Sequence, residues 1–502
     1  MNRLAYILVA FLAILGQPLL SAQTYEQMLR RNFWNDSRNI TGIRQDNVSK
    51  SYAELTAGYE GGDYRPTWQA EQAWSAGART ASIRHLKNIS YKGGFSFNQW
   101  EGYGMCGSMF ISPGYYPIDV LEFTPGRKTL QTYALDGGFS YDLNSTWRIG
   151  VMADFASANI AKRKDLRHTN WKLDFTIAPG VMWHVGDLAV GASYIYRKNG
   201  ETIEAEQVGT AESSYYAFFD KGLMYGVYQV WTGSGVHLDE AGVNGLPVKE
   251  FSNGLAAQLQ YNGLFAELEY ARTQGSVGEK EYIWFRFPGN QADLRLGYRA
   301  KETDGEHLAR LDIMWKSQTT YETVLEKITQ NGVTTVVDHG SNMIQQRNIF
   351  SLRPSYKYIH GVVEFGAGAD VNIQNSLTSP MYPYMYKQSL TRASLYMEML
   401  AHYGRLDLGV KGIYAGGRVS EDNRLVSDDS GVQTQPYRLQ EWYERQMEYD
   451  TAKRIRAEVL LRYNFSKGTY LRLDAATVKK LGKADGVPPT YLDARLAVGL
   501  NF

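Results

Sequence analysis

The chain has 502 residues, and its 53 basic and 52 acidic side chains give a formal net charge of +1. This balance lacks the basic excess that a nucleic-acid partner requires, and the single cysteine, Cys106, excludes an internal disulfide and a cysteine metal cluster. The 49 glycines and 36 tyrosines exceed ordinary usage, which favours either a lipid-facing barrel with aromatic girdles or a turn-rich soluble β protein.

The first residues have the features of a secretory signal peptide. A basic start at Arg3 precedes an apolar run over residues 4–20, and a small-residue cleavage pattern ends at Ala22. We therefore predict a signal peptide over residues 1–22, with a retained membrane anchor as the alternative. After residue 22 the sequence has no uninterrupted apolar run of transmembrane-helix length. The exported chain is then either soluble in the cell envelope or a barrel.

Strictly alternating apolar residues favour the barrel. In the last segment one face consists of Leu492, Ala494, Leu496, Val498, Leu500 and Phe502, while the other face is mostly polar or small. The same alternation recurs near residues 255–270, 363–373 and 454–465. Several of these runs have about ten residues, as a tilted strand across a bilayer needs, whereas soluble strands average about 5–6.

Turns of two kinds set the topology. Tight turns such as Asn262-Gly263 alternate with long polar segments, of which the largest are residues 104–129, 204–252, 318–347 and 420–452. With Phe502 in the periplasm, the tight turns fall on the periplasmic side and the long segments outside. We predict an all-β fold: a closed antiparallel transmembrane β-barrel over residues 51–502, with about 16–18 strands and most simply eighteen, in the outer membrane. Residues 23–50 are expected to be periplasmic or to lie in the lumen.

Several stretches of the sequence, taken together, resemble those of a known family. They resemble an uncharacterised family of outer-membrane β-barrel proteins of Bacteroides-type bacteria, known by a domain-of-unknown-function label. The resemblance covers nearly the whole mature chain and is carried by residues 32–36, 39–44, 105–109, 113–117, 122–128, 162–169, 219–226 and 380–384. It implies the fold and the location, and it implies no activity and no site residues.

Two loop segments contain candidate functional residues. One is a basic run that could bind lipopolysaccharide phosphates or an anionic solute, or could simply be a solvated loop: Lys162, Arg163, Lys164, Arg167 and His168. The other could fold inward as a constriction, or could be a cap that only closes the barrel: Tyr115, Tyr116, Arg127 and Lys128.

A third set of candidates is expected on the lumen wall. Near the C-terminal strands the inward face contains both signs of charge, in Arg454, Arg456, Glu458, Arg462, Arg472, Asp474, Asp493 and Arg495. Opposite charges on neighbouring strands pair with one another. These residues indicate either the wall of an ion-selective or sugar-passing channel, or ion pairs that support a plugged barrel.

The motifs of known enzymes are missing from the sequence. It has no His-Glu-x-x-His array, no Gly-x-Ser-x-Gly elbow and no phosphate-binding glycine loop with lysine, so we predict no enzyme, no metal and no cofactor. Two functions remain: a channel for small polar solutes, or a non-transporting scaffold or surface-binding partner accessory to a nutrient-uptake complex. The expected partners are outer-membrane lipid and lipopolysaccharide, the barrel assembly machinery through the strand ending in Phe502, and other envelope proteins.

Overall fold

The computed structural model describes residues 25, 31–45, 48–209, 214–232, 235–236, 246–279, 282–380, 385–423, 439–465, 468–482 and 490–502. The predicted signal peptide, residues 1–22, lies outside these described residues. Part of the predicted N-terminal segment, at residues 23–24, 26–30 and 46–47, also lies outside them.

Within the described chain, eighteen antiparallel strands close into one ring, which confirms the predicted barrel and its strand number. Each strand pairs with its ring neighbours, and the first strand also pairs with the last, from Tyr52 opposite Asn501 to Gly62 opposite Tyr491. An unpaired backbone group in hydrocarbon costs several kcal/mol, so this closure is what allows the sheet to span a membrane. The first strand begins at Lys50, one residue before the predicted boundary.

The ring strands, numbered together with short strands in the loops, run in chain order. They are β1 (Lys50–Gly62), β2 (Gln72–His85), β3 (Ile89–Ser108), β4 (Asp119–Asp142), β5 (Trp147–Lys162), β6 (Arg167–Val185), β7 (Leu188–Gln207), β11 (Leu246–Tyr261), β12 (Leu264–Glu279), β14 (Gly289–Lys301), β15 (Glu306–Gln330), β16 (Val333–His360), β17 (Val363–Thr378), β18 (Tyr386–Tyr403), β19 (Leu406–Asp422), β20 (Arg454–Asn464), β21 (Thr469–Lys480) and β22 (Thr490–Asn501). The loop strands are β8 (Ser214–Asp220), β9 (Gly226–Thr232), β10 (Gly235–Val236) and β13 (Tyr282–Arg286).

Large apolar side chains cover the outside of the ring. Leu255, Leu395 and Met397 are 67%, 63% and 76% exposed, and the residues that alternate with such side chains along each strand face inward. In β22, Leu492, Leu496 and Val498 are exposed in the same way, as their alternation predicts. A surface this apolar is stable only against lipid tails. The protein is therefore an integral outer-membrane β-barrel in contact with membrane lipid.

Tight turns close the predicted periplasmic end. At the β11–β12 turn, Tyr261 pairs with Leu264, and the two residues between them, Asn262 and Gly263, have φ of 45° and 82°. Positive φ at both positions is the type I′ geometry that favours Asn-Gly and matches the twist of the flanking strands. The turns near Gly361 and Gly404 also contain glycine at positive φ.

Two predicted outer loops are largely strand, and in the first of them, residues 104–129, only 109–118 lie between β3 and β4. Residues 318–347 are not a loop, because β15 and β16 continue through them as a hairpin that turns at Asn331 and Gly332. The two strands have 25 and 28 residues, far more than the about ten that cross a bilayer. Beyond the membrane both faces of a strand meet water. The alternation that marks a spanning strand therefore fades, and the sequence reads as a polar loop.

The outer ends of the strands support a packed cap. Strand β8 pairs with the start of β4, placing Asp119 opposite Asp220. An α-helix, α1 (Leu439–Thr451), packs its Leu439 and Tyr443 against a cluster that includes Phe218. Among the described helices, none is both long and apolar enough to cross a bilayer.

Candidate functional site: the barrel lumen

Residues 31–45, which we call the lumen segment, lie inside the ring. The segment consists mainly of two short 3-10 helices, Phe33–Asp36 and Ile40–Gln45, and the Asn32 side chain accepts the backbone N–H of Trp34 at the start of the first. Trp34 is only 1% exposed and packs against Met182, Ala189 and Phe265 of the wall. This aromatic side chain anchors the segment by burial.

Glycines in the wall allow a close approach of the lumen segment. The Asn39 amide donates to the backbone carbonyls of Val181 at 3.0 Å and Ala192 at 3.2 Å. A Cβ added at Gly180 would lie 2.4 Å from Asn39 Oδ1, and one at Gly191 would lie 2.8 Å from Asn39 Nδ2. Only glycine leaves room for the side chain at these positions.

Ion pairs attach the same segment to one half of the ring. Arg44 contacts Asp142 at 2.9 Å, Arg38 contacts Asp154 at 3.4 Å, and Asp36 contacts Arg310 at 2.5 Å. Together with hydrogen bonds and packing, the contacts described for residues 31–45 reach all nine ring strands from β3 to β15. The segment therefore occupies one side of the lumen near its periplasmic end.

A second element enters the lumen from outside. Residues 109–118, which we call the inward loop, connect β3 to β4 and pack against an apolar cluster that includes Ile203, Val248 and Phe287. Arg347, on β16, donates to the backbone carbonyls of Gly114 at 2.8 Å and Tyr115 at 2.9 Å. These contacts hold the tip of the loop across the barrel.

Two tyrosines at this tip contact neighbouring strands of the wall, because their partners Glu250 and Asn199 are register partners in β11 and β7. Tyr115 donates its hydroxyl to Glu250 at 2.9 Å, and Tyr116 donates its hydroxyl to Asn199. The ammonium groups of Lys172 and Lys316 lie 4.9 Å and 5.3 Å from the Tyr115 ring centre. Burial raises the pKa of both tyrosines, so each hydroxyl remains a neutral donor.

A polar cavity of about 250 Å³, which we call the central chamber, lies between Arg38 of the lumen segment and Tyr115 of the inward loop. Four basic and four acidic side chains face it: Arg38, Arg197, Arg295, Lys316, Asp174, Glu250, Glu269 and Asp293. Lys198 also borders this cavity, but its ammonium lies 5.9 Å from the Phe251 ring, and Phe251 is exposed on the outside of the ring. The charges that face the chamber are thus balanced.

A second cavity, of about 350 Å³, lies along the other side of the lumen, and we call it the wall cavity. Its charged side chains come from β16 to β22 and are Lys357, Glu364, Glu398, Lys411, Arg456, Glu458, Asp474, Asp493 and Arg495. None of these nine residues belongs to the strands from β3 to β15 that contact the lumen segment.

The eight residues predicted on the lumen wall fall into two groups. Five border the wall cavity: Arg456, Glu458, Asp474, Asp493 and Arg495. The other three make contacts of their own: Arg472 pairs with Asp474 at 2.9 Å, Arg462 lies 3.8 Å from Asp407, and Arg454 donates to the Tyr449 carbonyl of α1 at 2.7 Å. The contact between Arg462 and Asp407 joins the neighbouring strands β20 and β19, as expected for opposite charges on paired strands.

The residues predicted to form a constriction do not all meet. Tyr115 and Tyr116 lie in the inward loop, whereas Arg127 pairs with Glu101 at 2.5 Å. In β3 and β4 the exposed Phe95 and Leu135 are register partners, and alternation places Glu101 and Arg127 on that same outward face. Arg127 thus points away from the lumen. Lys128 is inward but buried, and its ammonium donates to the Ser108 carbonyl at 2.9 Å.

The basic run does not form one surface. Lys162 is 2% exposed and binds the buried carboxylate of Glu122, while His168 is 1% exposed and bonds to Asn170 at 2.9 Å. Of the five predicted residues, Arg163 and Lys164 are exposed, and Arg167 pairs with Asp165 at 2.9 Å. The two buried side chains cannot contact a lipid phosphate or a passing solute.

Sequence reasoning missed the contacts of the lumen segment and the central chamber. The sequence predicted that residues 23–50 are periplasmic or lie in the lumen, but it indicated no wall partner for them. A possible signal was the pairing of an aromatic, amide-rich segment with glycines at wall positions such as Gly138, Gly150, Gly180 and Gly191, which now face Ile40 and Asn39. Those contacts join residues about a hundred or more positions apart.

Comparisons with known proteins add a family and several distant likenesses. Residues 40–502 match the model of a family of unknown function, DUF6850. A search of curated proteins found no match. Among solved structures, OccAB4 of Acinetobacter baumannii is 11% identical over 92% of this chain and 99% of its own, with a TM-score of 0.38. OpdL of Pseudomonas aeruginosa is 13% identical over 90% and 98%, with a TM-score of 0.35.

A third similar structure is the ferric preacinetobactin receptor BauA of Acinetobacter baumannii, 8% identical over 91% of this chain and 80% of its own, with a TM-score of 0.39. These structures are too distantly similar to indicate a substrate for this chain. The fold is assigned from the closed ring of strands itself. The family match spans most of the chain. The chain therefore belongs to the family of unknown function DUF6850, as an outer-membrane β-barrel.

Proposed function

We propose that the protein is a channel for small polar solutes, and that solutes pass along the β16–β22 side of the lumen. The observation that supports this proposal is the division of the lumen. The lumen segment packs against all nine strands from β3 to β15, while the charged wall cavity is bordered by β16 to β22. A wide barrel contains water unless something fills it, and here the lumen segment lies against one side of the barrel.

The chemistry of the wall cavity fits polar cargo. Arg456 lies 2.5 Å from Glu458 and 4.0 Å from Asp493, so both signs of charge are presented within a short length of wall. Arg495 is exposed, and among the described residues it has no ion-pair partner. Rings and rows of charged side chains are how pores select and pass polar solutes. This arrangement supports transport better than catalysis, so we also propose that the protein is not an enzyme.

The membrane partners follow from the location. We propose that lipopolysaccharide surrounds the outer part of the ring, and that the barrel assembly machinery recognises the C-terminal strand ending in Phe502. The side chain of Phe502 is 61% exposed, and its backbone pairs with Ser51 at 2.9 Å in both directions. We also propose that the relatives of this chain occur in Bacteroides-type bacteria.

Conductance in planar bilayers tests the channel. Purified mature protein should give steady open currents. Asp493→Asn and Glu458→Gln each remove a negative charge from the wall cavity, so the reversal potential in a salt gradient should shift in the direction of greater anion selectivity. The matched control is Glu326→Gln, which removes a carboxylate from the outer β15–β16 hairpin, where Glu326 pairs with His339. The control should leave the reversal potential unchanged.

Two outcomes would contradict the proposal. An electrically silent protein that co-purifies with other envelope proteins would favour the scaffold or accessory role instead. Conductance that is insensitive to both wall substitutions would place the path elsewhere in the lumen. Deleting residues 23–45 in a silent protein would then show whether the lumen segment blocks the current.

A further inference from the structure

We propose that the central chamber is a binding site for an uncharged, hydroxyl-rich solute of about monosaccharide size. This inference rests on the proposed channel function and names a class of solute for it. The chamber is bordered by strands β6 to β15, so it lies beside the path proposed along β16–β22 and is tested by binding. The inference also rests on the position of the chamber, on its balanced charge and on polar groups that lack protein partners.

Position comes first. The chamber lies between Arg38, on the periplasmic side, and Tyr115, on the outer side, so a solute held there is enclosed at both ends by elements that fold into the lumen. Its volume of about 250 Å³ is several times the roughly 30 Å³ share of one water molecule. A single sugar ring fits such a space, whereas a peptide or an oligosaccharide does not.

The charge balance argues for a neutral occupant. The four basic and four acidic side chains that face the chamber cancel, so a net charge entering it gains no overall attraction while it loses hydration. A hydroxyl group both donates and accepts hydrogen bonds. A solute with several hydroxyls can therefore use guanidinium, ammonium and carboxylate groups at once.

Unused polar groups complete the argument. Arg38 is attached to Asp154 through Nη1, but its buried Nε has no hydrogen-bond partner among the described residues. Half-buried Lys316, in the same described part of the chain, has no hydrogen-bond or ion-pair partner within bonding distance; its ammonium lies near the Tyr115 ring and interacts electrostatically with Glu250. A buried donor such as Arg38 Nε is normally satisfied by a partner, and a bound polyol or water would supply it.

Opposite single substitutions test the charge balance. Lys316→Met leaves the chamber with one excess negative charge, Asp293→Asn leaves it with one excess positive charge, and the double variant restores neutrality. Calorimetric titration compares three solutes of nearly equal size: glucose, the anion gluconate and the cation glucosamine. Wild-type protein should bind glucose most tightly of the three, and the double variant should discriminate between the two ions no more than the wild type does.

A unit charge about 5 Å away in a watery lumen changes the affinity for an ion roughly fourfold. The effects on a cation and on an anion multiply, so we expect Lys316→Met to raise the ratio of glucosamine affinity to gluconate affinity roughly 15-fold and Asp293→Asn to lower it equally. Glutamine, a zwitterion of similar size, is the fourth solute. Tighter binding of glutamine than of glucose would overturn the assignment to polyols.

Calorimetric titration of the detergent-solubilised protein with glucose separates this inference from the channel function. Glucose binding that is weakened in both single variants, each of which removes a hydrogen-bonding group from the chamber, would support the chamber site even if the protein did not transport. Liposome swelling by glucose without calorimetric glucose binding in the wild type would overturn the chamber site and leave the channel intact. An absence of both swelling and glucose binding would overturn both proposals.

Discussion

The side-chain amide of Asn39 donates to the backbone carbonyl of Val181 at 3.0 Å, so the lumen segment bonds directly to the barrel wall. The same amide also donates to Gln258 at 3.0 Å, and Asn39 is fully buried. A segment held by hydrogen bonds in a buried position is part of the folded barrel and is not a loose tail.

Replacing this amide should destabilise the barrel. We expect Asn39→Ala to lower the free energy of unfolding by about 1–3 kcal/mol, the cost of leaving buried partners unsatisfied. The measurement is the temperature at which the protein loses its folded migration on a detergent gel. Asn253→Ala is the matched control, because exposed Asn253 only accepts the hydroxyl of Tyr194, and its effect should stay within about 0.5 kcal/mol. Equal losses in the two variants would contradict the role of Asn39.

The wall glycines should matter for the same reason. In Gly180→Ala the new methyl group would lie 2.4 Å from Asn39 Oδ1, so we expect the lumen segment to be displaced. Trypsin should then cleave after Arg38 or Arg44 in the variant and not in the wild type, whereas exposed loop sites such as Lys164 should be cut equally in both. In the control, Gly137→Ala, the nearest atom lies at 3.6 Å and no displacement is expected. Resistance of Gly180→Ala to trypsin would show that the segment tolerates the added methyl group.

A buried carboxylate near the outer rim holds two buried ammonium groups. Glu122 is fully buried, lies 3.4 Å from the ammonium of Lys128 and also bonds to that of Lys162. Glu122→Ala leaves both cations without their counter-charge, and we expect a loss of about 3–5 kcal/mol in unfolding free energy. The same thermal gel assay measures it. Exposed Glu326→Ala is the control, and a loss no larger than in that control would refute the prediction.

The outer cap should be more stable in acid than at neutral pH. Asp119 lies in the cap, beyond the lipid-facing part of β4, and burial raises its pKa to about 7, with nearby Asp220 adding to the effect. Because the folded pKa is above the unfolded one, its stabilisation is fully present below about pH 4 and is lost as the pH rises to about 7.

Hydrogen exchange of residues 108–121 measures this pH effect. We expect faster exchange at pH 8 than at pH 5.5, after correction for the intrinsic pH dependence of exchange, and a smaller difference in Asp119→Asn, which cannot ionise. Ser108 and Val120 donate hydrogen bonds to the Asp119 carboxyl, and Lys128 also lies near it. Because the side-chain oxygen of asparagine also accepts hydrogen bonds, the bonds from Ser108 and Val120 should persist in Asp119→Asn. An unchanged pH dependence in Asp119→Asn would assign the effect to another group.

The membrane-spanning part of the fold was readable from the sequence. Lipid on one side and a wet lumen on the other force side chains such as Leu496 and Arg495 to alternate, and each strand shows this alternation locally. The same local rule failed at residues 318–347, where both faces of the hairpin meet water and no alternation is imposed. Tight turns such as Asn262-Gly263 were also readable, because a positive φ at two successive residues restricts the residue types there.

The sequence by itself thus determined that the chain is a barrel, where it lies and roughly how many strands it has. Only the tertiary structure decided which charged residues share a cavity, that Lys162 and His168 are buried, and that Arg38 and Tyr115 enclose a chamber from opposite ends. The physical reason is distance along the chain. Alternation is a property of neighbouring residues, whereas the lumen is built from side chains on many strands, whose meeting depends on closure of the ring.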